Sequence, residues 1–146
     1  MWQDYIEKYK DKKVKLIVAG SRGFEDDKLA FAWLDSLLRE LTPSQVVILD
    51  GKAQGADAIG GNYGRSRGID VWDFPADWKN LDVPICKVGT NQYGKYNKLA
   101  GLQRNEDMGN NGTHLLAFNL GTSGTNAMIK YATKLGLRVK EVKLYE

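Results

Sequence analysis

The chain has 146 residues, of which 42% are hydrophobic, and this is enough for one domain with a single core. The formal net charge is +3 and the basic residues are spread along the chain, which suits an anionic small molecule better than a nucleic acid. With one cysteine, Cys86, and one histidine, His114, the chain allows neither an intrachain disulfide nor a Cys/His metal site, so we expect no metal and no cofactor.

The amino-terminal segment predicts a short helix. Residues 1–13 form the extension, in which Trp2, Tyr5, Ile6 and Tyr9 recur at helical spacing. Neither this segment nor any other has the apolar length of a signal peptide core or a membrane span. We therefore expect a cytoplasmic protein without membrane contacts, in which the remaining residues, 14–146, form a single domain.

Beyond the extension, short β-rich runs alternate with amphipathic helical runs. Because such units are connected by right-handed crossovers, this alternation predicts a Rossmann-like, doubly wound α/β fold with a mainly parallel five-stranded sheet and helices on both faces. A stretch rich in Gly, Asn, Lys and Tyr is predicted to be an irregular insertion, of the kind that often contacts ligands. The predicted strands are residues 14–19, 45–49, 70–74, 113–118 and 137–142, the predicted helices are residues 26–41, 56–67, 99–108 and 125–135, and the insertion is residues 79–98.

A glycine-bracketed polar turn, GSRGF, follows the first predicted strand. It matches neither the dinucleotide fingerprint nor the P-loop pattern, so an ordinary dehydrogenase or ATPase is disfavoured. Gly20 permits close approach, the Ser21 hydroxyl can donate a hydrogen bond, and the planar guanidinium of Arg22 can hold a phosphate or carboxylate by two hydrogen bonds. The alternative interpretation is a tight strand-to-helix turn with a solvated arginine.

A second such turn, GTSGT, follows the fourth predicted strand. Gly121 and Gly124 free the backbone, while Thr122, Ser123 and Thr125 place hydroxyls around the start of the next helix. One hydroxyl would be enough to cap that helix, so the pattern favours anion binding over a plain capping turn. Because parallel strands end at one edge of a sheet, the two turns are expected to converge there.

Two further segments supply candidate site residues. In DGKAQGAD, Gly55 permits a sharp turn, and Asp57 either accepts backbone N–H groups at a helix start or accepts hydrogen bonds from ribose hydroxyls, with Asp50 a weaker candidate for the ribose. In AGLQRNEDM, Arg104 could hold a phosphate and Asn105 a base or sugar group, although both could be ordinary surface residues.

Several aromatic residues could stack a base, namely Trp72, Trp78 and Tyr93. Aromatic side chains of this kind more often fill a core or fix a loop, so the sequence alone does not assign them to the site.

The motifs GSRGF, GKAQGAD, FPADW, AGLQRNEDM and LLAFNLGTSGT, in this order, closely resemble the YspA-type, YpsA-related branch of the SLOG superfamily over residues 14–142. That superfamily also contains the LOG phosphoribohydrolases and the DNA-processing protein DprA. The resemblance implies a Rossmann-like fold that binds nucleotides or nucleotide-derived signals at the strand edge, and a possible homodimer. It implies a ligand site formed by Gly20, Ser21, Arg22, Gly55, Asp57, Arg104, Asn105, Gly121, Ser123, Gly124 and Thr125.

The sequence departs from the LOG pattern at a catalytic position. LOG enzymes carry a catalytic glutamate three residues after the threonine of this turn, whereas Thr125 is followed by Asn126, Ala127 and Met128. A methionine can neither activate water nor stabilise an oxocarbenium-like ribose. We therefore expect a ligand-binding protein for sensing or sequestration rather than an enzyme.

Two alternatives remain open. One is a nucleotide phosphoribohydrolase of LOG type, in which Asp57 and Arg104 act as acid, base or charge stabiliser. The other is a DprA-like binder of single-stranded nucleic acid that uses the lysine-rich insertion and the aromatic residues. The modest, dispersed charge disfavours the second.

Overall fold

The computed structural model describes residues 2–145, without the side chains of residues 2 and 3. The side chain of Trp2, which belongs to the predicted helical spacing of the extension, therefore lies outside the described part. The helices are α1 (Trp2–Tyr9), α2 (Asp27–Leu38), α3 (Ala56–Arg67), α4 (Ala100–Asn111) and α5 (Ser123–Leu135), and one 3₁₀ turn spans Pro43–Gln45. The strands are β1 (Val14–Gly20), β2 (Val46–Asp50), β3 (Asp70–Asp73), β4 (Val88–Asn91), β5 (Gly94–Asn97), β6 (His114–Asn119) and β7 (Arg138–Lys143).

Five of these strands form one sheet in the order β3-β2-β1-β6-β7, and every neighbouring pair is parallel. The predicted Rossmann-like α/β fold is confirmed. Helix α2 ends three residues earlier than predicted, because the chain turns at Leu38 and a proline follows at Pro43. Leu41 continues the apolar stripe on which the longer prediction rested, and it still packs against the core from this turn.

Alternate residues of the central strand face two separate hydrophobic clusters. Leu16 and Val18 belong to the cluster that α2 and α3 cover, whereas Ile17 and Ala19 belong to the cluster that α4 and α5 cover. This alternation follows from the two-residue side-chain period of a strand, and helices on both faces bury β1 from Leu16 to Ala19. The sheet is therefore a rigid frame whose carboxyl edge carries the connecting turns.

Helix α1 packs against the second cluster through aromatic rings. The ring of Tyr9 lies 5.4 Å from that of Trp72, between centroids, and the ring of Tyr5 lies 6.2 Å from it. Trp72 is thus part of the core. Among the described residues, no helix has the length and hydrophobicity needed to cross a bilayer.

The segment predicted to be an irregular insertion contains an antiparallel hairpin, which corrects that prediction. Strands β4 and β5 pair with Asn91 opposite Gly94, so that a two-residue turn joins them. Asn97, which is buried, stabilises the segment: its side-chain oxygen accepts the N–H groups of Lys87 and Leu99, and its amide donates to the carbonyl of Ile85. Side-chain hydrogen bonds, rather than apolar alternation, order this part of the chain.

Candidate nucleotide site

The carboxyl ends of β1, β2 and β6 open onto a cleft of about 700 Å³, which we call the main cleft. Strands β1 and β6 are neighbours, yet the chain leaves β1 towards α2 on one face of the sheet and leaves β6 towards α5 on the other. Such a reversal defines the topological switch point, the place where open α/β sheets bind ligands.

The two glycine-bracketed turns meet through their hydroxyl groups. Ser21 Oγ lies 2.8 Å from Thr122 Oγ1 and 3.4 Å from Thr125 Oγ1, and the two threonine oxygens lie 3.0 Å apart. The backbone N–H of Leu120 also donates to Ser21 Oγ, at 3.1 Å. The turn after β1 and the turn after β6 therefore form one hydrogen-bonded unit on one side of the molecule.

The segment after β2 packs directly against the first turn. Gly55 has φ +82° and ψ −132°, a conformation open to glycine and strained for other residues. A Cβ atom at this position would lie 2.5 Å from the carbonyl oxygen of Ser21. Gly55 thus supports the first turn from behind and allows three strand ends to share one site.

The first turn of α5 supplies backbone N–H groups to the main cleft. Thr122 is the N-cap residue, but its hydroxyl makes no capping bond and instead joins Ser21 and Thr125. The first N–H groups of a helix have no carbonyl partner within that helix, and the helix dipole favours an anion there. Gly124 lines the cleft, with open space where a side chain would stand.

Three basic side chains line the same cleft: Arg22, Lys52 and Arg104. Burial lowers the pKa of Arg104, the carboxyls of Asp57 and Asp50 raise it, and the charge of Arg22 lowers it. Two guanidinium groups that repel each other across one cleft form a suitable environment for a negatively charged ligand.

Lys52 has an unusual backbone conformation for its residue type. Its φ is +59°, in the left-handed region, and its N–H donates to Asp50 Oδ1 at 2.8 Å. The left-handed conformation is strained for a lysine. The hydrogen bond to the carboxyl of Asp50 stabilises it and places Lys52 at the edge of the main cleft.

Asp57 lies in the wall of the main cleft and is only 6% exposed. Burial raises the pKa of its carboxyl to about 7, while the positive charge of Arg104 and a hydrogen bond from the backbone N–H of Ala53 oppose that rise. Arg104 is fixed nearby, because its Nη1 donates to the carbonyl of Gly51 and its Nε donates to Asn105 Oδ1 at 2.8 Å. Asp57 is therefore a carboxyl that exchanges its proton near neutral pH.

Most of the residues predicted for the site lie together. Three of them do not line the main cleft. Gly55 lies behind the first turn, Gly121 packs beside the ring of Tyr145, and Ser123 is exposed at the start of α5. Those that do line it are Gly20, Ser21, Arg22, Asp57, Arg104, Asn105, Gly124 and Thr125.

Sequence reasoning missed several lining residues, among them Lys52, Gln54 and Met128. Lys52 and Gln54 stand within the DGKAQGAD motif, which could have identified them. Met128 stands at the position of the LOG glutamate, and its side chain is buried against the cleft. Within residues 2–145, no group of three or more His, Cys, Asp or Glu side chains could hold a metal ion.

The fold and the main cleft together define a Rossmann-like α/β domain with a polar, partly basic site at the carboxyl edge of its sheet. Residues 14–81 match the family model described as YAcAr, the YspA, cpYpsA-related SLOG family, which confirms the resemblance to the YspA-type branch. No curated protein and no solved structure matches the chain. The matched segment includes the first turn and Asp57, whereas Arg104 and the turn after β6 lie beyond it.

Proposed function

We propose that this protein binds a nucleotide or a nucleotide-derived signalling ligand in the main cleft, for sensing or sequestration. The observation that carries the proposal is the hydrogen-bonded union of the two glycine-bracketed turns through Ser21 and Thr122. The match to the SLOG family supports a nucleotide-related function.

Each part of the cleft suits one part of such a ligand. The N–H groups of the first turn of α5 and the guanidinium of Arg22 bind the phosphate. The carboxyl of Asp57, which is in reach of ligand at the cleft wall, accepts hydrogen bonds from ribose hydroxyls.

Thermal unfolding of the purified full chain tests this proposal. The ligands are the nucleoside 5′-monophosphates, NAD and cyclic nucleotides, and a ligand at one hundred times its Kd adds about 2.7 kcal/mol of stability. Arg22→Ala removes the stabilisation, whereas Arg39→Ala, which removes an exposed arginine at the end of α2, retains it. A stabilisation that survives Arg22→Ala unchanged would remove the first turn from the site.

One observation favours a second candidate, an N-glycosidic hydrolase that acts on a nucleotide. The Asp57 carboxyl, with its pKa near 7, is suited to general acid–base catalysis, and Arg104 could stabilise developing negative charge. Met128 takes the place of the LOG glutamate, so the cleft has no carboxyl at this position, and we rank hydrolysis second.

Chromatography for released free base separates the two functions. Binding without release supports the sensing role. Release that Asp57→Asn abolishes, while binding persists, would establish the hydrolase.

A further inference from the structure

Trp78 stands at the main cleft with 46% of its surface exposed. The other aromatic candidates differ from it: Trp72 is 2% exposed within the core, and Tyr93, at 86% exposure, projects from the turn of the β4–β5 hairpin. Trp78 is therefore the residue of the three that offers a partly open indole to the cleft.

The position of Trp78 is fixed by its neighbours. Its carbonyl accepts the N–H of Asn97 at 2.6 Å, which connects it to the end of the hairpin. Its indole packs on the bare backbone of α4 at Gly101, where a Cβ atom would lie 3.2 Å from Trp78 Cη2. The ring of Tyr96 lies 6.5 Å away, between centroids. An aromatic surface fixed in this way loses little entropy when a planar group stacks on it.

The same place on α4 brings the indole beside a charged group of the site. Arg104 Nη2 would lie 3.5 Å from a Cβ atom at Gly101, so the guanidinium and the indole approach one point on the helix. Arg104 also lines the main cleft together with the two turns. A nucleotide whose phosphate lies at the turns and whose ribose lies at Asp57 can then extend past Arg104 to the indole.

We propose that Trp78 is the platform on which the base of the bound nucleotide stacks, an assignment that rests on the proposed function and names its base subsite. Stacking on an indole accepts any base, because every base has a π face. The ligand class is thus a phosphate with an attached aromatic base, in preference to a sugar phosphate alone.

Titration of three variants and two classes of ligand tests this assignment. The ligands are the four ribonucleoside 5′-monophosphates and, at millimolar concentration, ribose 5-phosphate, which has the same phosphate and sugar but no base. Trp78→Leu keeps apolar packing on Gly101 but removes the π face, whereas Trp78→Phe keeps a smaller one. Tyr93→Leu removes an aromatic ring from the same segment and is the matched control.

We expect Trp78→Leu to weaken binding of the monophosphates roughly tenfold to hundredfold and to change binding of ribose 5-phosphate less than twofold. Trp78→Phe recovers most of the affinity, and Tyr93→Leu leaves it unchanged. The assignment is overturned if Trp78→Leu binds the monophosphates as the wild type does, or if both ligand classes weaken equally, which indicates a structural role. If the wild-type protein binds neither class, it is the proposed function that fails.

Discussion

The hydroxyls of Ser21 and Thr122 lie 2.8 Å apart, although 101 positions separate the two residues in the chain. This contact joins the ends of β1 and β6 at the centre of the sheet. It also commits the hydroxyl of Thr122 to the junction of the two turns, so this hydroxyl does not cap the first N–H groups of α5.

Ser21→Ala is predicted to weaken both the fold and the site. Ser21 is 2% exposed, and its hydroxyl contacts Thr122 and Thr125 and accepts the N–H of Leu120. The loss of this buried acceptor costs about 1–3 kcal/mol of unfolding free energy. Urea denaturation measures the change, and Ser36→Ala, on the exposed face of α2, should alter stability by less than about 0.5 kcal/mol. Equal stabilities for the two variants would show that the junction contributes nothing.

Gly55→Ala is predicted to cost more stability than Gly68→Ala, although both glycines have positive φ. Gly68 has open space around it, so alanine there meets only the cost of the left-handed conformation, about 1 kcal/mol. At Gly55 the added Cβ also collides with the carbonyl of Ser21. We expect Gly55→Ala to lose nucleotide-induced stabilisation as well, and Gly68→Ala to retain it. Similar losses in both variants would argue against close packing of the second segment on the first turn.

Asp57→Asn is predicted to flatten the dependence of stability on pH. In the unfolded chain the carboxyl ionises near 3.8, whereas in the folded protein its pKa is about 7. Well below pH 3.8 both states hold the proton, and as the pH rises from there towards 7 the unfolded state releases it first, so the native state loses stability across this window. The loss is on the order of 4 kcal/mol and stays constant above pH 7.

Urea denaturation at pH 4 and pH 8 checks the predicted direction, which is a loss of native stability as the pH rises. The stability of Asp57→Asn relative to the wild type should be higher at pH 8 than at pH 4. Asp11→Asn, at an exposed position, controls for the change in net charge. A wild-type protein that becomes more stable between these pH values, with Asp57→Asn following it in parallel, would contradict the assignment.

Asn97→Ala is predicted to release the β4–β5 hairpin. The substitution leaves the N–H groups of Lys87 and Leu99 and the carbonyl of Ile85 without their side-chain partner, at a cost of about 2–4 kcal/mol. Limited proteolysis should then cleave within residues 79–98, and nucleotide binding should weaken because Trp78 is connected to the same residue. Asn91→Ala, at the exposed end of β4, removes a solvent-exposed hydrogen bond from the N–H of Tyr93 and should resist cleavage as the wild type does. Equal resistance to proteolysis in both variants would show that the hydrogen bonds of Asn97 are not needed to order the hairpin.

The fold could be predicted from the sequence because short, continuous apolar runs, typical of parallel strands, alternate with the amphipathic patterns of the covering helices. The meeting of the two turns followed from the same rule, since parallel strands end at one edge. The hairpin was missed because only Gly89 and Asn97 of β4 and β5 are buried, so the two strands show no apolar alternation.

The orientation of individual site residues could not be predicted. A glycine in a turn indicates a backbone conformation but not the direction in which the residue faces, and Gly121, with φ +89°, lies under the ring of Tyr145 rather than in the cleft. Likewise, burial in the assembled cleft raises the pKa of Asp57, and the positive charge of Arg104 on α4 opposes that rise. Such environments exist only in the assembled structure.

The family match ends at residue 81, and this boundary divides the main cleft. A truncated chain that ended there would keep Arg22 and Asp57. It would lack Thr122 and Thr125, which contact the hydroxyl of Ser21, and it would lack the N-terminal N–H groups of α5. If the main cleft binds the proposed ligand, binding therefore requires both halves of the chain and arises only after the distal half has packed beside β1. Under the proposed function, affinity for the ligand should appear late in folding, and a bound ligand should stabilise the packing of the two halves against each other.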